Sequence, residues 1–174
     1  MTVAITIVLC LAFLAMLSIL WSTIRHGISP MPSNRASRQA MLSLLPSPPT
    51  HSIIDLGSGW GSLAFDVASK HPKSKIIGYE LSLLPYWYSK IRYRRENLSF
   101  HRRNFMLQQY PDDVLFLCYL YPGGMEKVRD LVSGRRCIVI SNTFALPSHK
   151  ATDSCKAADI YKSPIYLYEL KAET

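Results

Sequence analysis

The chain is predicted to fold as an α/β domain around a mostly parallel sheet, with an antiparallel hairpin at its C-terminal edge and one long apolar helix ahead of it. Three observations predict this. Short apolar runs alternate with helix-forming segments between residues 52 and 141. The stretch His51-Ser-Ile-Ile-Asp-Leu-Gly-Ser-Gly-Trp-Gly61 sets a glycine turn between an apolar run and a helical segment. An open α/β sheet exposes a ligand site at the end of its first strand in this way. Finally, two β-rich pieces at 155–161 and 164–170 flank Lys162-Ser163, which reads as a terminal hairpin.

Residues 1–24 contain no charged side chain, and 3–21 are almost continuously apolar. At the helical rise this length just crosses the hydrocarbon core of a bilayer, and Trp21 at its end suits the interfacial preference of aromatic residues. A cleaved signal peptide would want a basic leading region and a small-x-small cleavage site; neither is visible. Arg25, His26, Arg35 and Arg38 follow the apolar stretch and nothing basic precedes it. The positive-inside rule therefore puts the N-terminus outside and the rest of the chain on the cytoplasmic or mitochondrial matrix side. The expected division is a single-pass anchor at 1–24, a linker with a short helix at 25–49, and one folded domain at 50–174. Within the linker, Ser29-Pro-Met-Pro-Ser33 is too proline-rich for a helix. Ser33 or Asn34 is the expected cap of a helix over 35–45, which Pro46-Ser-Pro-Pro49 ends.

A formal net charge of +8 makes an anionic surface a plausible neighbour. Four scattered cysteines form no C-x-x-C pair and fit free thiols in a reducing compartment. Five histidines show no ligand spacing, so no metal site is expected.

The chemistry concentrates at the glycine turn. Gly57, Gly59 and Gly61 permit positive φ and let backbone N–H groups approach a ligand. Their spacing is G-x-G-x-G, one residue short of the dinucleotide fingerprint, and Asp55 precedes them where a phosphate would be repelled. An acid there suits a cation. Glu80 ends the second apolar run about twenty residues past the turn, where a carboxylate accepts hydrogen bonds from ribose hydroxyls. Together they describe a nucleoside with a cationic amino-acid tail and no phosphates, which is the shape of S-adenosylmethionine.

Asp55-Leu-Gly-Ser-Gly-Trp-Gly61 followed by Gly78-Tyr-Glu-Leu81 resembles the first two motifs of class I S-adenosylmethionine-dependent methyltransferases, whose sheet is Rossmann-like. With the apolar N-terminus and the Pro/Ser-rich linker, the chain also resembles the small membrane-anchored group related to the ATP synthase c-subunit lysine methyltransferases. The resemblance spans about residues 30–142. It implies a cofactor set of Asp55, Gly57, Ser58, Gly59, Trp60, Gly61, Glu80 and Leu81. It adds Asn104 as hydrogen-bond partner of the adenine amino group and Phe105 packed on the ring, although the family usually has aspartate at the first of these. Pro32, Ser33 and Arg35 would line the pocket, or else serve only as a spacer. Tyr119 and Tyr121, at the exit of the fourth strand, are the candidate catalytic residues that orient the methyl acceptor; core aromatics at a strand end are the bland alternative. Amine-directed members often carry an Asn/Asp-Pro-Pro-aromatic stretch there, and Tyr119-Leu-Tyr-Pro-Gly-Gly-Met125 lacks it. That disfavours nucleic acid and remains compatible with a protein lysine.

The remaining elements are expected as helices at 62–70, 85–96 and 125–132 and strands at 76–79, 98–102, 113–119 and 136–141, the helix after the fifth strand being reduced to a loop at 145–148. The 85–96 helix mixes Tyr86, Trp87, Tyr88, Ile91 and Tyr93 with Lys90, Arg92, Arg94 and Arg95. Such a face is able to stack on RNA, to lie solvated against the sheet, or to attract anionic lipid headgroups. The expected function is membrane-anchored methylation of a protein lysine. A lipid or small-molecule methyltransferase, a non-catalytic cofactor-binding module and a nicotinamide oxidoreductase are the competing readings.

Overall fold

The computed structural model describes residues 2–26, 33–47 and 52–172. Helix α1 covers Thr2–His26 and α2 covers Arg35–Ser43. Strands and helices then alternate as β1 (Ser52–Leu56), α3 (Ser62–Lys70), β2 (Lys75–Tyr79), α4 (Leu83–Arg92) and β3 (Leu98–His101). After a 3₁₀ turn at Phe105–Leu107 come β4 (Val114–Cys118), α5 (Pro122–Val132), β5 (Cys137–Asn142), β6 (Asp153–Lys156) and β7 (Pro164–Leu170). The seven strands form one sheet in the order β3-β2-β1-β4-β5-β7-β6. All pairings from β3 to β5 are parallel, and β7 runs antiparallel to both of its neighbours. The reversal from β1 to β4 puts a topological switch point beside the glycine turn, where open α/β sheets bind ligands.

Alternation along the strands divides the core. Ile53, Leu115, Leu117 and Ile140 face α2 and α3, meeting Met41, Leu63, Ala64, Val67 and Ala68. Ile54, Leu56, Phe116 and Val139 face the other way, onto Met125, Val128, Leu131 and Val132 of α5. The central strand β4 is buried along its whole length, so its run Val-Leu-Phe-Leu-Cys carries no alternation, as expected of a strand covered on both faces. Among the described residues no helix follows β5; Leu146, 1% exposed, plugs that place and its N–H donates to the Tyr168 hydroxyl at 2.9 Å.

Several boundaries differ from those expected, each for a local reason. Helix α4 begins at Leu83 behind Ser82, with Pro85 still in its first turn, and stops at Arg92 rather than residue 96. Asn97 fixes the next segment early, since its Nδ2 donates to the carbonyls of Ala68, His71 and Ser74 at 3.1 Å each. Helix α5 starts at Pro122, in the first helical position where a missing N–H costs nothing, rather than at Met125. Strand β6 occupies Asp153–Lys156 and not 155–161. The chain turns over 157–163 around Asp159, whose carboxylate accepts the Ser163 N–H at 2.8 Å. That bond leads the causes that pull the Asp159 carboxyl down to about 2.

The same carboxylate accepts from Asn34 Nδ2 at 2.9 Å and Ser37 Oγ at 3.3 Å, joining α2 to the β6–β7 turn. Asn34, not Ser33, is the cap of α2: its Oδ1 accepts the Ser37 N–H at 2.8 Å. The helix closes at Ser43 rather than residue 45. Arg38 binds α2 to α3 through Asp66 at 2.6 Å. The proline-rich stretch at 29–32, residues 48–49 of the helix stop and His51 lie outside the described residues.

Gly61 shows how tightly the turn is built. Its φ is +81°, and a Cβ would sit 2.6 Å from Ser89 Cβ and 2.8 Å from the Phe100 ring. Gly61→Ala therefore combines left-handed strain with overpacking and is expected to cost about 2–4 kcal/mol of stability. At Gly59 (φ +52°) the nearest atom to a Cβ is 3.9 Å away, so Gly59→Ala should cost only about 1–2 kcal/mol. Chemical denaturation of the two variants checks the order; equal losses would contradict it.

Candidate active site

Three segments meet at the C-terminal ends of β1 and β2. The turn after β1 holds Gly57, Gly59 and Gly61 at φ of +74°, +52° and +81°. The Ser58 N–H donates to the Tyr79 carbonyl at 2.9 Å and the Gly61 N–H to the Ser58 carbonyl at 2.9 Å. Glu80 lies across from this turn. Its Oε2 accepts the Gly59 N–H at 2.8 Å and its Oε1 accepts the Ser82 N–H at 2.7 Å. One carboxylate thus ties the glycine turn to the start of α4. Each oxygen keeps further lone-pair capacity on its open side. This bracing role was not legible from the strand-end position of Glu80. The only hint was Ser82 two residues on, a short-range pattern shared by many turns.

Asp55 lies at the base of the turn, 3% exposed. Burial pushes its carboxyl up to about 7, the neighbouring charge of Glu80 pushes the same way, and a hydrogen bond from the Ala64 backbone partly offsets both. Its Oδ2 and the Ser58 Oγ are buried without a protein hydrogen-bond partner. Gly78 explains how Ser58 reaches that depth, since a Cβ there would lie 2.8 Å from Ser58 Oγ and 2.7 Å from Phe100. Close to the turn, Trp60 stands edge-on to Tyr88 with ring centroids 5.2 Å apart. Leu81 remains 39% exposed beyond Glu80.

The expected adenine pair sits after β3. Asn104 caps the 3₁₀ turn, its Oδ1 accepting the Met106 N–H at 3.0 Å. The residue is held in place by that bond, leaving its Nδ2 and the second lone pair of Oδ1 for a ligand. Phe105 is half-buried against the α5 side of the core, and its carbonyl accepts the Tyr110 hydroxyl at 2.7 Å.

On the other side of β1, β4 ends at Cys118, so Tyr119 is the first residue beyond the strand and Tyr121 caps α5. Both tyrosines are half-buried. Gly123 and Gly124 clear space for the Tyr121 ring: a Cβ on Gly123 would stand 2.7 Å from it. The glycine pair was visible in the sequence, but its purpose appears only when α5 is known to begin at Pro122. Asn142 lies at the end of the neighbouring strand β5, 2% exposed, with its Oδ1 accepting the Thr143 hydroxyl at 3.1 Å. Ser33 is half-buried with its carbonyl accepting from Arg38 at 2.6 Å, while Arg35 is exposed at the start of α2. Pro32 lies outside the described residues.

A buried, unpartnered carboxyl oxygen suits a cationic amine, a carboxylate at the second strand end suits ribose hydroxyls, and the side-chain-free bend leaves room for both. These features fit S-adenosylmethionine and not a pyrophosphate.

Fold and site together define the class: a class I S-adenosylmethionine-dependent methyltransferase domain. Within it, the chain belongs to the ANTKMT methyltransferase domain family, whose profile matches residues 55–153. That match supports the relationship to the c-subunit lysine methyltransferases drawn from the motifs. Among solved structures, the putative methyltransferase yhhF from Escherichia coli is similar with a TM-score of 0.63 and 14% identity, covering 82% of this chain and 89% of that one. A TehB-like S-adenosylmethionine-dependent methyltransferase from Corynebacterium glutamicum gives 0.57 and 10%, covering 90% and 100%. The chain spans only 43% of the StiE O-MT structure it also resembles, at a TM-score of 0.51, 17% identity and 62% coverage of this chain. These likenesses establish the fold. No curated protein matches the chain. The family's cofactor is S-adenosyl-L-methionine.

The state of Asp55 gives a pH signature. Its folded value near 7 lies above the ordinary 3.8, so the folded protein holds a proton that the unfolded chain has released between those limits. Stability is therefore fullest below about pH 4 as far as this group is concerned, and falls as pH rises through 7. Binding of a cation against Asp55 favours the ionised form, so affinity for S-adenosylhomocysteine should rise about tenfold per unit up to pH 7 and then level. Asp55→Asn is expected to keep the fold, flatten both pH dependences and weaken binding about tenfold or more. Calorimetry and thermal melts between pH 5 and pH 8 check this; an unchanged pH profile in the variant would refute it.

Proposed function

We propose that the chain is a membrane-anchored methyltransferase that transfers a methyl group to a protein lysine at or near the bilayer. The observation that carries the reading is the pairing of Asp55 and Glu80 around the glycine turn, with two tyrosines across from it on the exit of β4. The family match supports methyl transfer. The anchor rests on α1, in which Thr2–Trp21 has a mean hydropathy of 2.9 and is not buried within the protein. Leu9, Leu14 and Trp21 are each more than half exposed, a surface that suits lipid rather than water. The proposed division keeps the anchor, the linker with α2, and the sheet domain, with the domain on the cytoplasmic or matrix side.

In this reading Asp55 and Glu80 hold the amine and the ribose, Asn104 and Phe105 the adenine, and the backbone at Gly57, Ser58 and Gly59 lies along the tail between them. Trp60, Gly61 and Leu81 complete the wall. When bound, S-adenosylmethionine supplies a methyl group already activated by its sulfonium charge, so no strong general base is needed. The chain's task is to align the nucleophile in a dry opening. A target lysine must first shed a proton, and Tyr119 and Tyr121 aid this by excluding water, which disfavours the ammonium form, and by accepting from the neutral amine.

Tritiated-methyl labelling of membrane extracts by the full-length chain is the test. The expected product is labelled protein that yields methyl-lysine on hydrolysis; label in lipid, or none, would contradict the proposal. Tyr121→Phe should lower kcat about tenfold, the worth of one hydrogen bond made as the acceptor is aligned, with cofactor affinity unchanged. Gly59→Leu should abolish cofactor binding in a chain that still melts cooperatively.

A further inference from the structure

Helix α4 leaves an apolar face bare. Leu83, Trp87 and Ile91, spaced four residues apart along one stripe, are 44%, 49% and 63% exposed, and Tyr88 beside them is 45% exposed. A helix packed on a sheet normally turns such residues inward; here Tyr86 and Ser89 take the inner side. The stripe is bordered by cations. Lys90 lies 5.5 Å from the Tyr86 ring and 5.6 Å from the Trp87 ring, and Arg92 lies 5.4 Å from the Tyr93 ring. Among the described residues no carboxylate forms an ion pair with Lys90, Arg92, Arg94 or Arg95. Lys90, Arg94 and Arg95 also line an open groove of about 710 Å³ against β3, with His101 on its wall and Glu96 as its only acid.

Position supplies the occupant. The apolar helix α1 packs against α4, and its described half-buried residues, Ser18, Ile19 and Thr23, all lie toward its C-terminal end. The contact with α1 thus sets α4 toward the C-terminal end of that helix, at the level where α1 would leave the hydrocarbon. Trp and Tyr prefer this level, and lysine or arginine beside them reaches anionic headgroups.

We propose that the outer face of α4 is a second lipid contact, with Leu83, Trp87 and Ile91 seated in the interfacial layer of an anionic bilayer and Lys90, Arg92, Arg94 and Arg95 on its headgroups. The inference rests on the anchoring of α1 and extends it. One helix holds the domain near a membrane, whereas two contacts fix its orientation. Because α4 begins three residues after Glu80, that orientation brings the cofactor edge of the sheet toward the bilayer surface. A substrate lysine on a membrane protein, close to the headgroups, then becomes the reachable class.

Two full-length chains with a single tryptophan test this in nanodiscs carrying brominated acyl chains, either neutral or containing phosphatidylglycerol. One keeps Trp87 (Trp21→Phe, Trp60→Phe) and the other keeps Trp21 (Trp60→Phe, Trp87→Phe). Trp21 should be quenched in both lipids. Trp87 should be quenched roughly twofold or more in anionic discs and much less in neutral ones. Changing Lys90, Arg92, Arg94 and Arg95 to Gln should abolish the difference while the circular dichroism stays unchanged. Quenching of Trp21 without Trp87 would overturn the second contact and leave the anchor standing. Failure to quench Trp21 would remove the anchor, and this inference with it. Trp87 quenching that ignores lipid charge, or a response to single-stranded RNA instead of bilayers, would also overturn it.

Discussion

The Glu80 carboxylate holds the cofactor edge together. Two backbone N–H groups from different loops converge on it, Gly59 from the turn after β1 and Ser82 from the start of α4. Hydrogen bonds to a charged acceptor contribute about 1.5–3 kcal/mol each, enough to offset much of the cost of keeping a carboxylate 9% exposed. Glycine at 59 lets the backbone adopt the positive φ found there. Once Glu80 is fixed, its charge adds to burial in raising the Asp55 carboxyl. The two acids are therefore coupled: the one that shapes the turn also raises the proton affinity of the other.

That coupling marks the limit of what the sequence carries. The strand, the bend and the helix from Ser52 to Lys70 were legible because apolar runs, glycines and helix formers follow one another without ambiguity. The antiparallel C-terminal pair was legible from its β-rich composition. Element ends were less so, because long-range bonds set them. Asn97 stops α4 by bonding three carbonyls from the α3–β2 region, and Asp159 cuts β6 short while capturing α2. Neither partner is near in sequence. At the site, a glycine bend between two acids at 55 and 80 was legible from the residue types, whereas Glu80 as a brace and the glycine pair beside the Tyr121 ring emerge only in the folded chain.

The pre-motif helix links the membrane reading to the site. Asn34 and Ser37 attach it to the β6–β7 turn, Arg38 attaches it to α3, and Met41, 1% exposed, seals it into the core. The domain therefore holds α2 from two sides, and only residues 27–34 separate that helix from the end of α1. An extended chain of eight residues reaches at most about 29 Å. So short a tether keeps the sheet close to any bilayer that α1 spans, and a methyl acceptor in bulk solution would gain nothing from it.

The account stands on the claim that Asp55, Glu80 and the glycine bend were shaped around a positively charged nucleoside without phosphates. Competitive isothermal titration of the full-length protein with S-adenosylhomocysteine and NADH tests this most directly. Saturable one-to-one heat with S-adenosylhomocysteine, undisturbed by excess NADH, is the predicted result. Silence with S-adenosylhomocysteine, or its displacement by NADH, would contradict it.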